Sequence, residues 1–287
     1  MRYLSALPVL LLLAPPAMAE GPSLPLANRP AATLSLSAVL GQAAAPLRAN
    51  LRWRIFLEAA NPDGSHALVA ESAEAAPVLA LPDGQYIVHV AWGLAAATRR
   101  TVVRGASTSE RLALNAGGLK IIARLGEAAV PPARIDIAVY VPVGSNLEAK
   151  LVLDHGKPGD TIALPEGSYH IVSTYLDAGG AAAPTNSVVA ADLKVATGKL
   201  TEATLRHRAA TPTLKLVNAP GGDALANTSF TVLTPGGDVI RELIGAFPSL
   251  VLAEGEYVAI ARHDGKAYQQ TFKVESGADR DVEILVK

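Results

Sequence analysis

A six-residue phrase occurs three times in this chain, and it constrains the fold more than any other feature. It reads Leu81-Pro82-Asp83-Gly84-Gln85-Tyr86 in the first third, Leu164-Pro165-Glu166-Gly167-Ser168-Tyr169 in the second, and Leu252-Ala253-Glu254-Gly255-Glu256-Tyr257 in the last. The tyrosines stand 83 and 88 residues apart. Repeats of solenoids run about 20–47 residues, so a period near 85 fits a complete small domain.

Other landmarks keep one order around each phrase. Each copy opens on a strand that ends near a glycine: 33–41, 118–126 and 213–221. A second strand closes on a Pro/Gly turn at Pro62-Asp63-Gly64, Pro142-Val143-Gly144 or Pro235-Gly236-Gly237. A third strand ends in an acidic residue, Glu71, Asp154 or Glu242. After the phrase, two more strands are split at Gly105, Gly198 or Gly277. Leu51, Trp53, Ile55 and Leu57 alternate with Arg52, Arg54 and Phe56, and Ile135, Ile137, Val139 and Val141 alternate with polar or smaller residues. That period of two puts one set on a core face. Short strands at 8–12-residue spacing, separated by turn residues, predict a sandwich or a barrel. The fold expected is all-β: three tandem Greek-key β-sandwich domains of Ig-like type, at 32–116, 117–210 and 211–287. Gly117-Gly118 is expected to act as a hinge.

The phrase itself predicts a corner between strands. Proline fixes φ and removes a donor, which suits a corner and not a ladder. The acidic residue can cap the turn through nearby backbone amides, and glycine supplies a positive φ where the turn needs one. The tyrosine is expected to point its ring inward and return its hydroxyl to the backbone just upstream, as in a tyrosine corner. Leu81, Gly84, Tyr86, Leu164, Gly167, Tyr169, Leu252, Gly255 and Tyr257 are therefore expected to be structural corner residues.

The first segment predicts export. Met1-Arg2 is followed by an apolar run to Ala14, a Pro15-Pro16 break and Ala17-Met18-Ala19, a small-residue cleavage site. Residues 1–19 read as a signal peptide and 20–31, with Pro22, Pro25 and Pro30, as an extended leader. The run is too short to span a bilayer, which takes roughly 20 residues. A net charge of −1 gives no basic excess for nucleic acid or an anionic membrane surface. With no cysteine, packed cores alone must hold the exported chain.

The phrase, the alternating strand after it, the turn glycine and the final strand together resemble the transthyretin-like sandwich modules of bacteria, the carboxypeptidase-regulatory-like and Cna-B-type repeats. The resemblance covers almost all of residues 32–287. It implies a stalk, a spacer, or an adhesive or sugar-facing element, and a non-enzymatic role. Many Cna-B-type modules carry a Lys–Asn cross-link. Lys120 and Lys215 read as matching first-strand positions, but the first copy has Ser35 there, and no asparagine stands at the expected closing position of copies two or three. The cross-link is not expected.

Chemistry is sparse. His66, His89, His155, His170, His207 and His263 share no repeat position and no metal-site spacing, and most are expected to be exposed. The densest polar stretch, Asp154 to Asp160 with Ser145 nearby, would be the place for a hydrolase or metal site. It has neither a nucleophile elbow nor an EF-hand spacing, and a polar turn accounts for it. No catalytic, cofactor-binding or metal residue is assigned, and no cofactor is expected.

Copy two carries about ten extra residues near 177–187. Loops on rigid scaffolds often carry recognition, which makes Tyr175, Asp177 and Asn186 a candidate binding loop. The function expected is that of a non-enzymatic exported envelope protein, periplasmic or extracellular, acting as a spacer or interaction scaffold for an envelope protein or glycan. The alternatives are a carbohydrate- or peptide-binding module, for which Trp53, Trp92, Tyr140 and Tyr175 are the candidate aromatics although the strand positions of Trp53 and Trp92 fit core packing better, and a hydrolase.

Overall fold

The computed structural model describes residues 32–42, 45–105, 107–142, 149–177 and 187–287. The expected signal and leader segments, Ser145 and Asn186 lie outside the described residues. No helix among the described residues is long and apolar enough to cross a membrane.

The chain is all-β, and one seven-strand plan underlies it. In the first copy the strands are β1 (Ala32–Leu40), β2 (Leu51–Ala60), β3 (His66–Ser72), β4 (Val78–Leu81), β5 (Gly84–Trp92), β6 (Ala95–Val103) and β7 (Thr108–Leu114). One sheet has the order β4-β1-β7 and the other β3-β2-β5-β6. The alternation seen in the sequence sorts the side chains. Leu51, Trp53 and Ile55 from β2, and Tyr86, Val88 and Val90 from β5, are buried against Leu34, Leu36, Leu112 and Leu114 of the facing sheet. Each such aliphatic side chain contributes about 1.5–3 kcal/mol when fully buried.

The second copy repeats the plan with β8 (Ala116–Leu125), β9 (Ala128–Ala129), β10 (Ile135–Pro142), β11 (Ala149–Gly156), β12 (Thr161–Pro165), β13 (Gly167–Tyr175), β14 (Val188–Val195) and β15 (Leu200–His207). Its sheets run β12-β8-β15 and β11-β10-β13-β14, with β9 paired to β8. The third copy has β16 (Ala209–Ala210), β17 (Thr213–Val217), β18 (Ser229–Leu233), β19 (Val239–Ile244), β20 (Leu252–Ala253), β21 (Gly255–His263), β22 (Lys266–Val274) and β23 (Asp281–Leu285). Its first strand is split into β16, paired to β20, and β17, paired to β23; the other sheet runs β19-β18-β21-β22. Each copy has its own cluster of buried apolar side chains. The edge strands β3, β11 and β19 all meet their neighbours with a register shift. Such bulges twist an edge and discourage pairing with another chain.

Gly117 and Gly118 are not a hinge. Both lie within β8, paired to Leu164 and Ala163 of β12. A Cβ on Gly117 would sit 2.3 Å from the Ala196 carbonyl oxygen, so this glycine is there for close backbone approach.

Candidate interaction sites and the joints between copies

The corner phrase has the same geometry three times. The Tyr86 hydroxyl donates to the Pro82 carbonyl at 2.7 Å, Tyr169 to Pro165 at 2.8 Å, and Tyr257 to Ala253 at 2.9 Å. Leu81, Leu164 and Leu252 are buried beside them. Burial raises the pKa of Tyr86 and Tyr169 by disfavouring the phenolate, and the Asp83 charge adds to this at Tyr86.

The glycine and the acidic residue act differently from the sequence expectation. Gly84, Gly167 and Gly255 do not adopt positive φ. A Cβ at Gly84 would come 3.3 Å from the Tyr86 ring, so the first-copy glycine leaves room for the aromatic. At Gly167 and Gly255 the corresponding distances, 3.7 and 3.6 Å, are ordinary contacts. Asp83 Oδ1 accepts the Gly105 amide at 2.8 Å, across the sandwich end and not within its own turn. Glu166 accepts the Thr197 hydroxyl at 2.6 Å, and Glu254 takes Arg208 with both carboxylate oxygens at 2.9 and 3.1 Å.

Glu166 and Glu254 mark the joints. A single residue, Asn115, separates β7 from β8, and Arg208 alone separates β15 from β16. The Glu166 amide donates to the Asn115 carbonyl at 2.9 Å, and the Glu254 amide to Arg208 at 2.8 Å. The amides of the turn glycines Gly198 and Gly277 donate to Ala116 and Ala209, both at 2.8 Å. The two joints thus share one pattern of backbone bonds.

A second contact reinforces each joint. After β5, the turn at Gly93-Leu94 rests on β12, where the Leu94 amide donates to the Ala163 carbonyl at 3.0 Å. After β13, Asp177 takes the corresponding place. Its Oδ1 accepts the Val251 amide at 2.6 Å and its Oδ2 pairs with Arg241 of β19. Val251 packs into the second core, although it lies in the third copy. The flanks of the candidate binding loop are therefore internal: Tyr175 and Asp177 are both buried, and the Arg134 guanidinium lies over the Tyr175 ring, 4.7 Å from its centroid. Trp53 is fully buried and Trp92 packs partly against the first core, while Tyr140 is half-buried, 6.3 Å from the His170 ring.

The polar segment of copy two partly assembles. His155, at a positive φ of 56° beside the β10–β11 register shift, holds its Nδ1 3.2 Å from Asp136 Oδ1 and its Nε2 3.5 Å from Asp154 Oδ2. These three could offer a cation one imidazole nitrogen and two carboxylate oxygens, but His155 and Asp154 are exposed and water competes for every ligand. Asp136, from the neighbouring strand, was not identifiable from local spacing.

His207 departs most from expectation. It is fully buried at the end of β15, with Nε2 2.9 Å from Ser173 Oγ and Nδ1 3.0 Å from Ser187 Oγ. Burial lowers its pKa from 6.5 to about 4. The signal was present in the alternation: Leu205 and His207 share the inward phase, with Arg206 and Arg208 outward. Lys120 and Lys215 meet carboxylates, Glu202 at 3.2 Å and Asp281, respectively.

Residues 211–286, the third copy, match the model of the Rhizobiales growth-associated tandem repeat domain. No curated protein matches the chain. Among solved structures, the Bacillus anthracis TIE protein is 16% identical, over 90% of this chain and 50% of that one, with a TM-score of 0.25. The chain thus spans half the length of that protein. BcpA, the major pilin subunit of Bacillus cereus, is 9% identical over 90% of this chain and all of that one, with a TM-score of 0.24. A streptococcal ancillary pilin is 13% identical over 90% and 99%, with a TM-score of 0.31.

Proposed function

We propose that the chain is an exported, non-enzymatic envelope protein in which three β-sandwich domains, at 32–116, 117–210 and 211–287, act in series as a spacer or interaction scaffold. Residues 1–19 serve as its signal peptide and 20–31 as its leader. Its partner class is an envelope protein or glycan outside the cytoplasm. The observation that carries this reading is the repeated joint. One residue links each sandwich to the next, the same two backbone bonds seat that residue and its neighbour on the following sandwich, at Glu166/Gly198 and Glu254/Gly277, and Leu94 and Asp177 bond the preceding sandwich to the following one. A flexible linker would leave the sandwiches free to tumble. These joints fix successive sandwiches to each other and so set a distance.

Small-angle scattering of the mature chain tests the spacer. One extended particle with a well-defined maximum dimension is expected, and a broad distribution typical of freely jointed domains would refute it. Mass spectrometry of the protein from its native host should show a chain starting at Glu20. Cross-linking in the native envelope, followed by capture of the mature protein, should recover a fixed partner.

A further inference from the structure

We infer that the chain bears tension, because each sandwich places its entry and exit strands so that an end-to-end pull loads them in shear. This rests on the series reading above. In every copy the first and last strands are direct, parallel neighbours. β1 pairs with β7 from Leu34↔Thr108 to Leu40↔Leu114, β8 with β15 from Gly118↔Leu200 to Leu125↔His207, and β17 with β23 from Thr213↔Asp281 to Val217↔Leu285.

Direction decides how such a pair fails. In an antiparallel pair the chain would enter and leave at the same end, and a pull would open the bonds one at a time. In a parallel pair it enters at one end and leaves at the other. The pull then runs along both strands in opposite senses, and the evenly spaced, slanted bonds of the parallel ladder must give way together. Forced rupture is governed by the unfolding barrier rather than by equilibrium stability, so the load direction sets the resistance.

Three further features suit this role. The joints contain no slack, since load leaving β7 passes through Asn115 directly into β8, and load leaving β15 passes through Arg208 into β16. Backbone bonds from Glu166, Gly198, Glu254 and Gly277 clamp the chain where the load crosses. Side-chain bridges also span the sheared strands, Lys120–Glu202 between β8 and β15 and Lys215–Asp281 between β17 and β23. The ladders have seven, eight and five registered pairs in copies one to three, which ranks the third copy as the first to yield.

Single-molecule force spectroscopy on the mature chain tests this. The chain has no cysteine, so introduced thiols are unique attachment points. One protein carries handles at its two ends. A second carries them at Asn218→Cys and after Lys287, which both lie at the same end of the β17–β23 pair, so the same ladder unzips. Asn218 is exposed, so the substitution leaves the buried core contacts untouched. The third copy should rupture at several-fold higher force when pulled end to end than when pulled from Asn218, and it should yield before the other two. Equal rupture forces in the two geometries would overturn the inference. An extended particle by scattering with equal rupture forces would keep the spacer and remove the tension-bearing role, whereas a freely jointed particle would remove the spacer itself.

Discussion

Acidification should weaken the second sandwich through one side chain. His207 is fully buried, its two ring nitrogens are occupied by Ser173 and Ser187, and its pKa falls from 6.5 to about 4 because burial disfavours the imidazolium. In the unfolded chain the ring takes up a proton as pH drops below about 6.5, while in the folded chain it resists until about 4. The unfolded state therefore binds more protons throughout this window, and stability falls as pH falls. At 1.36 kcal/mol per pK unit, a shift from 6.5 to about 4 is worth about 3 kcal/mol, all of it present above pH 6.5 and lost by pH 4. Asp63, whose pKa the hydrogen bonds from Ser65 lower, and His89, whose pKa burial and then Arg54 lower, contribute their own pH dependence, so a comparison is needed. His207→Gln keeps a polar group between the serines but cannot titrate. Urea unfolding of the whole chain, followed by methyl NMR signals of Ile171 and Leu205 in the second core, should show the wild type losing about 3 kcal/mol more than the variant between pH 7 and pH 4. Equal losses in the two proteins, or an NMR titration placing His207 near 6.5, would refute the argument.

Three substitutions test the corners and joints by denaturation of the full chain. Tyr169→Phe leaves the Pro165 carbonyl without its hydroxyl donor and should destabilise the second sandwich by about 1–3 kcal/mol; an unchanged midpoint would reduce the tyrosine to a packing residue. Asp177→Ala strands the Val251 amide and Arg241, and should cost about 2–3 kcal/mol while making the second and third sandwiches unfold in separate steps. Gly117→Ala would push a methyl to within 2.3 Å of the Ala196 carbonyl oxygen and should cost about 1–3 kcal/mol, whereas a true hinge glycine would tolerate it.

The sequence by itself determined the parts that depend on neighbours along the chain. Alternation over Leu51–Leu57 and Ile135–Val141 marks the inward faces, because successive strand side chains point to opposite sides. The same phase held the burial of His207, although its residue type suggested a surface position. The tyrosine and its carbonyl acceptor are four residues apart, so that bond lies within reach of a local motif. The tertiary structure decided whatever joins distant segments. Asp177 and Arg241 are 64 residues apart and belong to different copies, so no period connects them. The His155 cluster needs Asp136 from a neighbouring strand, 19 residues away. Gly84 and Gly117 are glycines because of what packs beside them, and not because of their own φ. The parallel pairing of first and last strands brings together residues 68 to 82 positions apart, such as Leu40 with Leu114 and Leu125 with His207. Strand pattern shows which face is buried, but which strand lies beside it, and in which direction, emerges only when two sheets close on a shared core.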